Sequence, residues 1–160
     1  WTTDIMATPF KNFQLHYLLT WQRPEYKNFS YSAFGVTYDY NGKIIPELSQ
    51  LLMEIDPSYY MLSHKLRAWF SLRYFGKQYA NPTNAFYYNA RWENFGGLDY
   101  SMNRNLTVKL QVTNFLNQHG VKGAIQGGDQ ILDASAYTDR IVSANSIRPR
   151  SIELTITTKF

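Results

Sequence analysis

Apolar and polar residues alternate with a period of two along much of this chain. From Asn12 to Trp21 the odd positions Phe13, Leu15, Tyr17, Leu19 and Trp21 face Asn12, Gln14, His16, Leu18 and Thr20. Between His64 and Gly76 the apolar set is Leu66, Ala68, Phe70, Leu72 and Tyr74, opposed by Lys65, Arg67, Trp69, Ser71, Arg73 and Phe75. From Ala85 to Tyr100 it is Phe86, Tyr88, Ala90, Trp92, Leu98 and Tyr100, against Asn89, Arg91, Glu93 and Asp99. Leu106, Val108, Leu110 and Val112 alternate with Thr107, Lys109, Gln111 and Thr113, and the chain closes on Ile152, Leu154, Ile156, Thr158 and Phe160. Side chains on a strand point to opposite faces in turn, so each segment predicts a strand with one apolar and one polar face.

Alternation alone fits a soluble sandwich as well as a membrane barrel. Two features favour the barrel. Long charged and amide side chains sit in mid-strand on the polar faces (Arg67, Arg73, Arg91, Glu93, Lys109, Gln111), as a watery lumen permits. The apolar faces end in Trp21, Tyr74, Trp92 and Tyr100, the residue types of an interfacial aromatic girdle.

The connections are of two kinds. Met102-Asn103-Arg104-Asn105 is a tight polar turn, and Asn41-Gly42 carries a hairpin signal, whereas 117–149 is long and opens with four glycines, Gly120, Gly123, Gly127 and Gly128. In that stretch Asp133 is placed to cap a short helix carrying Ala134, Tyr137 and Ile141. Short turns at one rim and long loops at the other is the outer-membrane pattern. Segment 44–55 is ambiguous: Leu48, Leu51, Leu52 and Ile55 have helical spacing, Pro46 suits a first helical position, and Asp56-Pro57 would end the helix. Making 43–56 a descending strand keeps long connections at one rim and puts Asn41-Gly42 at a hairpin tip. The expected strands are therefore 10–22, 29–40, 43–56, 64–76, 85–100, 105–116 and 150–160, with residues 1–9 outside them. Seven strands do not close a bacterial barrel, which takes an even number, so the expectation is an all-β antiparallel transmembrane barrel segment.

Composition narrows the environment. Tyr 13, Phe 10 and Trp 4 make 17% of the 160 residues aromatic, with 18% charged and a mean hydropathy of -0.39. So many aromatics exclude disorder, and no apolar run approaches the roughly 18 residues of a membrane-spanning helix. There is no cysteine, hence no disulfide or thiolate site. The net charge of +4 is scattered, which argues against nucleic acid as a partner. Trp1-Thr2-Thr3-Asp4 has neither the basic region nor the apolar core of a signal peptide.

The ending Arg148-Pro149-Arg150-Ser151-Ile152-Glu153-Leu154-Thr155-Ile156-Thr157-Thr158-Lys159-Phe160 resembles the last strand of outer-membrane barrels, with a terminal aromatic after alternating apolar residues. Ile152, Leu154, Ile156 and Phe160 would then form the signal read by the assembly machinery. Upstream, Phe95-Gly96-Gly97-Leu98-Asp99-Tyr100, the 102–105 turn, and Leu106 to Val112 followed by Thr113-Asn114-Phe115-Leu116-Asn117 resemble the preceding hairpin of TonB-dependent receptors. Trp69-Phe70-Ser71-Leu72-Arg73-Tyr74-Phe75 is similar to another of their strands. The resemblance is most specific over 84–160 and implies the carboxy-terminal part of a 22-stranded barrel. It implies energised uptake of a scarce nutrient (siderophore, cobalamin, oligosaccharide or peptide) across the outer membrane of a Gram-negative bacterium. Outer-membrane lipid, a plug domain with the remaining strands, and the TonB complex would be partners, with a surface lipoprotein as a further candidate. Neither the plug nor the short box that engages TonB lies in these residues.

Catalytic and metal motifs are not found. His16, His64 and His119 lie far apart with no carboxylate at ligand spacing, no serine sits in a Gly-x-Ser-x-Gly elbow, and Gly127-Gly128-Asp129 with Asp133 and Asp139 misses the calcium-loop spacing. The expectation is a protein that is not an enzyme and has no cofactor. Phe95-Gly96-Gly97 lies in a strand pattern, where glycine marks a bend or close packing. Candidate lumen-facing ligand contacts are Trp69, Arg73, Tyr87 and Arg91, with Phe95 beside them. Two other readings stand against the receptor fragment: a complete small 8-stranded outer-membrane protein, and a soluble carbohydrate-binding β-sandwich.

Overall fold

The alternating segments become neighbouring strands of one sheet. A computed structural model describes residues 1–137 and 143–159. In chain order the strands are β1 (Thr2–Ala7), β2 (Phe13–Trp21), β3 (Ser30–Ala33), β4 (Val36–Asp39), β5 (Leu51–Met61), β6 (Leu66–Phe75), β7 (Gln78–Tyr79), β8 (Tyr87–Tyr88), β9 (Arg91–Ser101), β10 (Leu106–Thr113), β11 (Val121–Lys122), β12 (Asn145–Ser146) and β13 (Ser151–Thr158). A single 3-10 turn, Ala134–Tyr137, is the only helical element among the described residues. Seven strands form an all-antiparallel sheet in the order β1-β2-β5-β6-β9-β10-β13, while β3–β4, β7–β8 and β11–β12 are separate two-stranded pairs.

Register carries the sequence pattern across the whole sheet. Leu15 faces Pro57, Ile55 lies between Tyr17 and Leu72, and Tyr74 lies between Met53 and Trp92. Leu110 lies between Leu98 and Leu154, and Val108 between Tyr100 and Ile156. Because a one-residue slip would turn every side chain over, this continuity of apolar rows fixes the pairing of all seven strands. The opposite face collects His16, Glu54, Asp56, Arg67, Arg73, Glu93, Asp99, Lys109, Gln111 and Glu153.

The sheet is a single layer. Its apolar face stays open: Ile152, Leu154 and Ile156 are 70%, 63% and 62% exposed. Among the described residues the buried apolar side chains are Tyr40, Ala80, Tyr88, Ile125 and Ile131, none of which belongs to the seven-stranded sheet. A soluble domain buries its sheet under a second layer. Here the packed core sits instead in the connections at one rim.

Those connections alternate in length as a barrel's do. Residues 8–12, 62–65 and 102–105 are short turns at one rim, and 22–50, 76–90 and the described residues between β10 and β13 are long excursions at the other. At the short-turn rim Leu62, Ser63 and His64 all adopt positive φ, and Met102 N–H donates to the Leu106 carbonyl. Aromatic residues mark both ends of the apolar face, with Trp21, Tyr74 and Trp92 toward the long-loop rim and Phe13, Tyr59 and Tyr100 toward the other.

The strand count agrees with the sequence expectation, but its members differ. Residues 29–40 do not cross the sheet: they form the small β3–β4 hairpin within the 22–50 connection, closed at Phe34-Gly35, where both residues have positive φ as a two-residue hairpin turn requires. Its alternating residues satisfy their backbone bonds on each other. Asn41-Gly42 is a turn inside the same connection, with Lys43 N–H bonded to the Tyr40 carbonyl. The strand expected over 43–56 descends as anticipated but spans Leu51–Met61 and runs straight through Pro57. Pro57 is tolerated there because its nitrogen faces a gap in the β5–β6 ladder, between the Ile55–Leu72 and Ser58–Trp69 pairs. Residues 1–9, read as strandless, supply β1, whose Thr3, Ile5 and Ala7 extend the apolar face. The over-long 85–100 segment divides into β8 and an 11-residue β9.

Candidate functional site: the polar face and the loop layer

The polar face is built from cross-strand pairs that only the register brings together. Arg73 Nε donates to Glu54 Oε1 at 2.9 Å, and its guanidinium lies 5.6 Å from the Phe95 ring centre. Arg67 pairs with Asp99 at 3.6 Å and lies 5.8 Å over Trp69. The Arg91 side chain is largely buried: it donates to Gln78 Oε1, reaches Glu93 at 3.4 Å and stacks 4.6 Å over Phe75. Glu93 also accepts from Lys122 Nζ at 2.8 Å, which ties the last long connection to β9.

Glycine makes room for the aromatics of both faces. A Cβ on Gly97 would stand 2.6 Å from the Leu110 carbonyl and 3.0 Å from the Trp69 indole. A Cβ on Gly96 would stand 2.9 Å from the Phe70 ring on the apolar face. The Gly96-Gly97 pair is thus the close packing its place in a strand suggested.

Over the rim, three connections join into one body. Asn81 is fully buried; its carboxamide nitrogen lies 2.7 Å from Thr83 Oγ1, 2.8 Å from the Gly128 carbonyl and 3.2 Å from that of Ile131. Its oxygen accepts from Phe86 N–H at 3.1 Å. Ile125 N–H donates to the Ala80 carbonyl, Glu47 N–H to that of Tyr79, and Ala124 N–H to the Glu47 carboxylate at 3.0 Å. Tyr40 O–H donates to the Asp129 carbonyl at 3.0 Å, and burial raises its phenol above the usual tyrosine range. Burial does the same to Tyr88, whose hydroxyl lacks a partner among the described residues. Asp133 caps the 3-10 turn, accepting from Ser135 N–H at 2.9 Å and Oγ at 2.6 Å, which lowers its carboxyl below the usual range. Ile141, Asp139 and the terminal Phe160 lie outside the described residues.

The Asn-aromatic-Leu-Asn element seats the last connection. Asn114, with positive φ, donates to the Gln118 and Arg148 carbonyls at 2.8 and 2.9 Å. The chain folds back over the apolar face, where Asn94 Oδ1 accepts from Leu116 N–H at 2.9 Å and Phe115 meets Phe70 edge-on at 5.8 Å.

Of the four candidate ligand contacts, Trp69, Arg73 and Arg91 share the polar face. Tyr87 does not: it belongs to the β7–β8 hairpin, because the wall strand begins only at Arg91. There Lys77 Nζ lies 3.9 Å from the Tyr87 ring centre and 4.8 Å from that of Tyr79, leaving Tyr87 half-exposed beside a cation. Arg73 and Arg91 are held by internal carboxylates. Sequence reading missed Lys77, Lys122 and Asn81. Nothing in Asn81-Pro82-Thr83-Asn84 points to a partner near residue 130. His16, read as remote from carboxylates, lies 2.9 Å from Asp4 and 3.1 Å from Asp56, since pairing of β1, β2 and β5 sets the three side by side.

No family model and no curated protein matches the chain. Solved structures do. The siderophore receptor PiuA from Acinetobacter baumannii superimposes with a TM-score of 0.75 at 18% identity, over 99% of this chain and 21% of that one. The ferric yersiniabactin uptake receptor FyuA from Yersinia pestis gives 0.76 at 10% identity, over 99% and 23%. The ferric-catecholate import receptor Fiu from K12 E. coli, in its closed form, gives 0.68 at 20% identity, over 99% and 20%. The chain therefore has the fold of a stretch of these receptors and spans about a fifth of their length.

Proposed function

We propose that this chain is part of the wall, with its outer-rim loops, of a TonB-dependent receptor in the outer membrane of a Gram-negative bacterium. The observation that carries the reading is the single-layer sheet: its apolar face runs through seven registered strands and is open except where Phe115 and Leu116 fold back on it, while the packed core lies in loops at one rim. Lipid is the partner for which such a face is suited. The charged face then looks into a lumen occupied by the plug domain, and the rest of the barrel continues from the free edges of β1 and β13. Ile152, Leu154 and Ile156, on the apolar face of the last strand, suit an assembly signal completed by Phe160.

The reaction served is energised uptake of a scarce nutrient, driven through the TonB complex. Ferric siderophores are the ligand class favoured by likeness to PiuA, FyuA and Fiu. Tyr87 with Lys77 at the rim, and Trp69 with Arg67 deeper on the polar face, offer aromatic surface beside positive charge, suited to an anionic, partly aromatic ligand. The protein does not act as an enzyme.

The test is a pair of neighbouring substitutions in the receptor that carries this chain. Leu110→Arg places a charge on the apolar face and should cost about 2–4 kcal/mol of folding free energy in a bilayer or abolish insertion. Gln111→Arg, one residue on but facing Gly97 and Glu153 on the polar side, should be tolerated. Equal damage from the two would overturn the assignment of faces.

A further inference from the structure

Pro57 interrupts the β5–β6 ladder and a polar recess opens beside the interruption. The backbone hydrogen bond from Gly76 to Leu51 sets the phase of that ladder, so position 57 is one whose N–H would donate to the Phe70 carbonyl. Proline has no N–H, and the pairs 56–71 and 57–70 are missing. An open recess of about 230 Å³ occupies the polar side of this gap, lined by Asp56, Pro57, Ser58, Arg67, Trp69 and Ser71 with Phe70.

Three polar atoms of these lining residues are buried without a hydrogen-bond partner among the described residues: Asp56 Oδ1, Arg67 Nε and Ser71 Oγ. Ser71 is only 9% exposed. The three are chemically complementary to one kind of occupant. A carboxylate oxygen only accepts, a guanidinium Nε–H only donates, and a hydroxyl does either. Leaving each unsatisfied carries a desolvation penalty, larger for the charged groups. Water needs two to four polar partners and roughly 30 Å³ per molecule, and the recess supplies both.

We infer that the recess holds ordered water that donates to Asp56 and accepts from Arg67 in place of the rung that Pro57 deletes. The other atoms of those side chains extend the connection. Asp56 Oδ2 lies 3.1 Å from His16 Nδ1, His16 Nε2 lies 2.9 Å from Asp4, and Arg67 reaches Asp99 at 3.6 Å. Bridged by water, these two short networks become one polar belt from Asp4 to Asp99, crossing β1, β2, β5, β6 and β9. The belt holds the five strands together at the height where the backbone ladder is broken.

The experiment is a crystal structure of the protein carrying this chain, at a resolution that orders solvent, together with Ser71→Ala and Ser71→Val variants and the ring resonances of His16. Solvent density within hydrogen-bond distance of Asp56 Oδ1 and Arg67 Nε is expected in the parent and in Ser71→Ala, which removes one anchor of three. Ser71→Val places a methyl where the hydroxyl bound and should remove that density and shift the His16 resonances, leaving the strands in register. A dry recess, direct pairing of Asp56 with Arg67, or a side chain from elsewhere in the polypeptide filling the gap would each overturn the inference. So would Ser71→Val leaving the density and the His16 resonances unmoved.

Discussion

Asn81→Ala should loosen two loops that are nearly fifty residues apart in sequence, as judged by the 47-residue separation of Asn81 and Gly128. Asn81 has no exposed surface, so the hydrogen bonds lost on its replacement are not restored by bulk water. Its carboxamide holds Phe86 N–H on one loop and the Gly128 and Ile131 carbonyls on the other; without it Gly128 keeps only Ile131 N–H, and Ile131 keeps the Thr83 hydroxyl. With two N–H donors and one oxygen engaged, the carboxamide makes three buried hydrogen bonds at about 0.5–1.5 kcal/mol net each, an expectation of about 2–4 kcal/mol. For opening that is local, this corresponds to roughly 30- to 700-fold faster amide exchange, at about 1.4 kcal/mol per tenfold. Hydrogen exchange read by mass spectrometry should show this acceleration over both 79–86 and 124–131, with β9 and β10 unchanged. Acceleration confined to 79–86 would refute the view that the outer-rim connections form one body.

Three further outcomes follow from the same contacts. Gly97→Ala drives a Cβ to 2.6 Å from a backbone carbonyl and should cost about 1–3 kcal/mol or more, with a shift in indole fluorescence as Trp69 is displaced. Gly96→Ala should cost less in the same denaturant titration, because its obstacle is the half-exposed Phe70 ring, which can turn aside. Tyr40 and Tyr88 ionise above the ordinary tyrosine range in the folded loop layer, so their contribution is full below the unfolded value near about pH 10 and is lost as pH rises through the folded values. Tyrosinate absorbance should therefore show a late phase coinciding with loop opening, diminished in Tyr88→Phe; a single phase near pH 10 in both proteins would contradict it.

The wall was largely legible because its signal is local. In β6, β9, β10 and β13 each residue's neighbours two positions away report the face it occupies, and that periodicity survives whatever strand pairs beside it. β1 escaped because Thr2-Thr3-Asp4-Ile5-Met6-Ala7 has Ile5 as the only strongly apolar residue on its outward side; its strand character comes from pairing with β2. Residues 29–40 misled for the opposite reason, since an alternating run satisfies itself as a hairpin as readily as it crosses a membrane. In 51–61 the pairing of Leu51 with Leu52 imitated a helical face, and Pro57 read as a terminus because its harmless orientation depends on ladder phase. The polar face was legible as polar, but its pairings were not. Asp4, His16 and Asp56, or Asn81 and Gly128, are brought together by register and loop packing, which leave no trace in local spacing.

The most direct test is nitroxide scanning of residues 106–113 in the protein that carries this chain, reconstituted in lipid bilayers, comparing collision with oxygen, which concentrates in the acyl region, and with a water-soluble nickel complex. The account predicts a period of two: Leu106, Val108, Leu110 and Val112 favour oxygen, while Thr107, Lys109, Gln111 and Thr113 do not. Uniform access to the nickel complex along the strand, or alternation in the opposite phase, would contradict it.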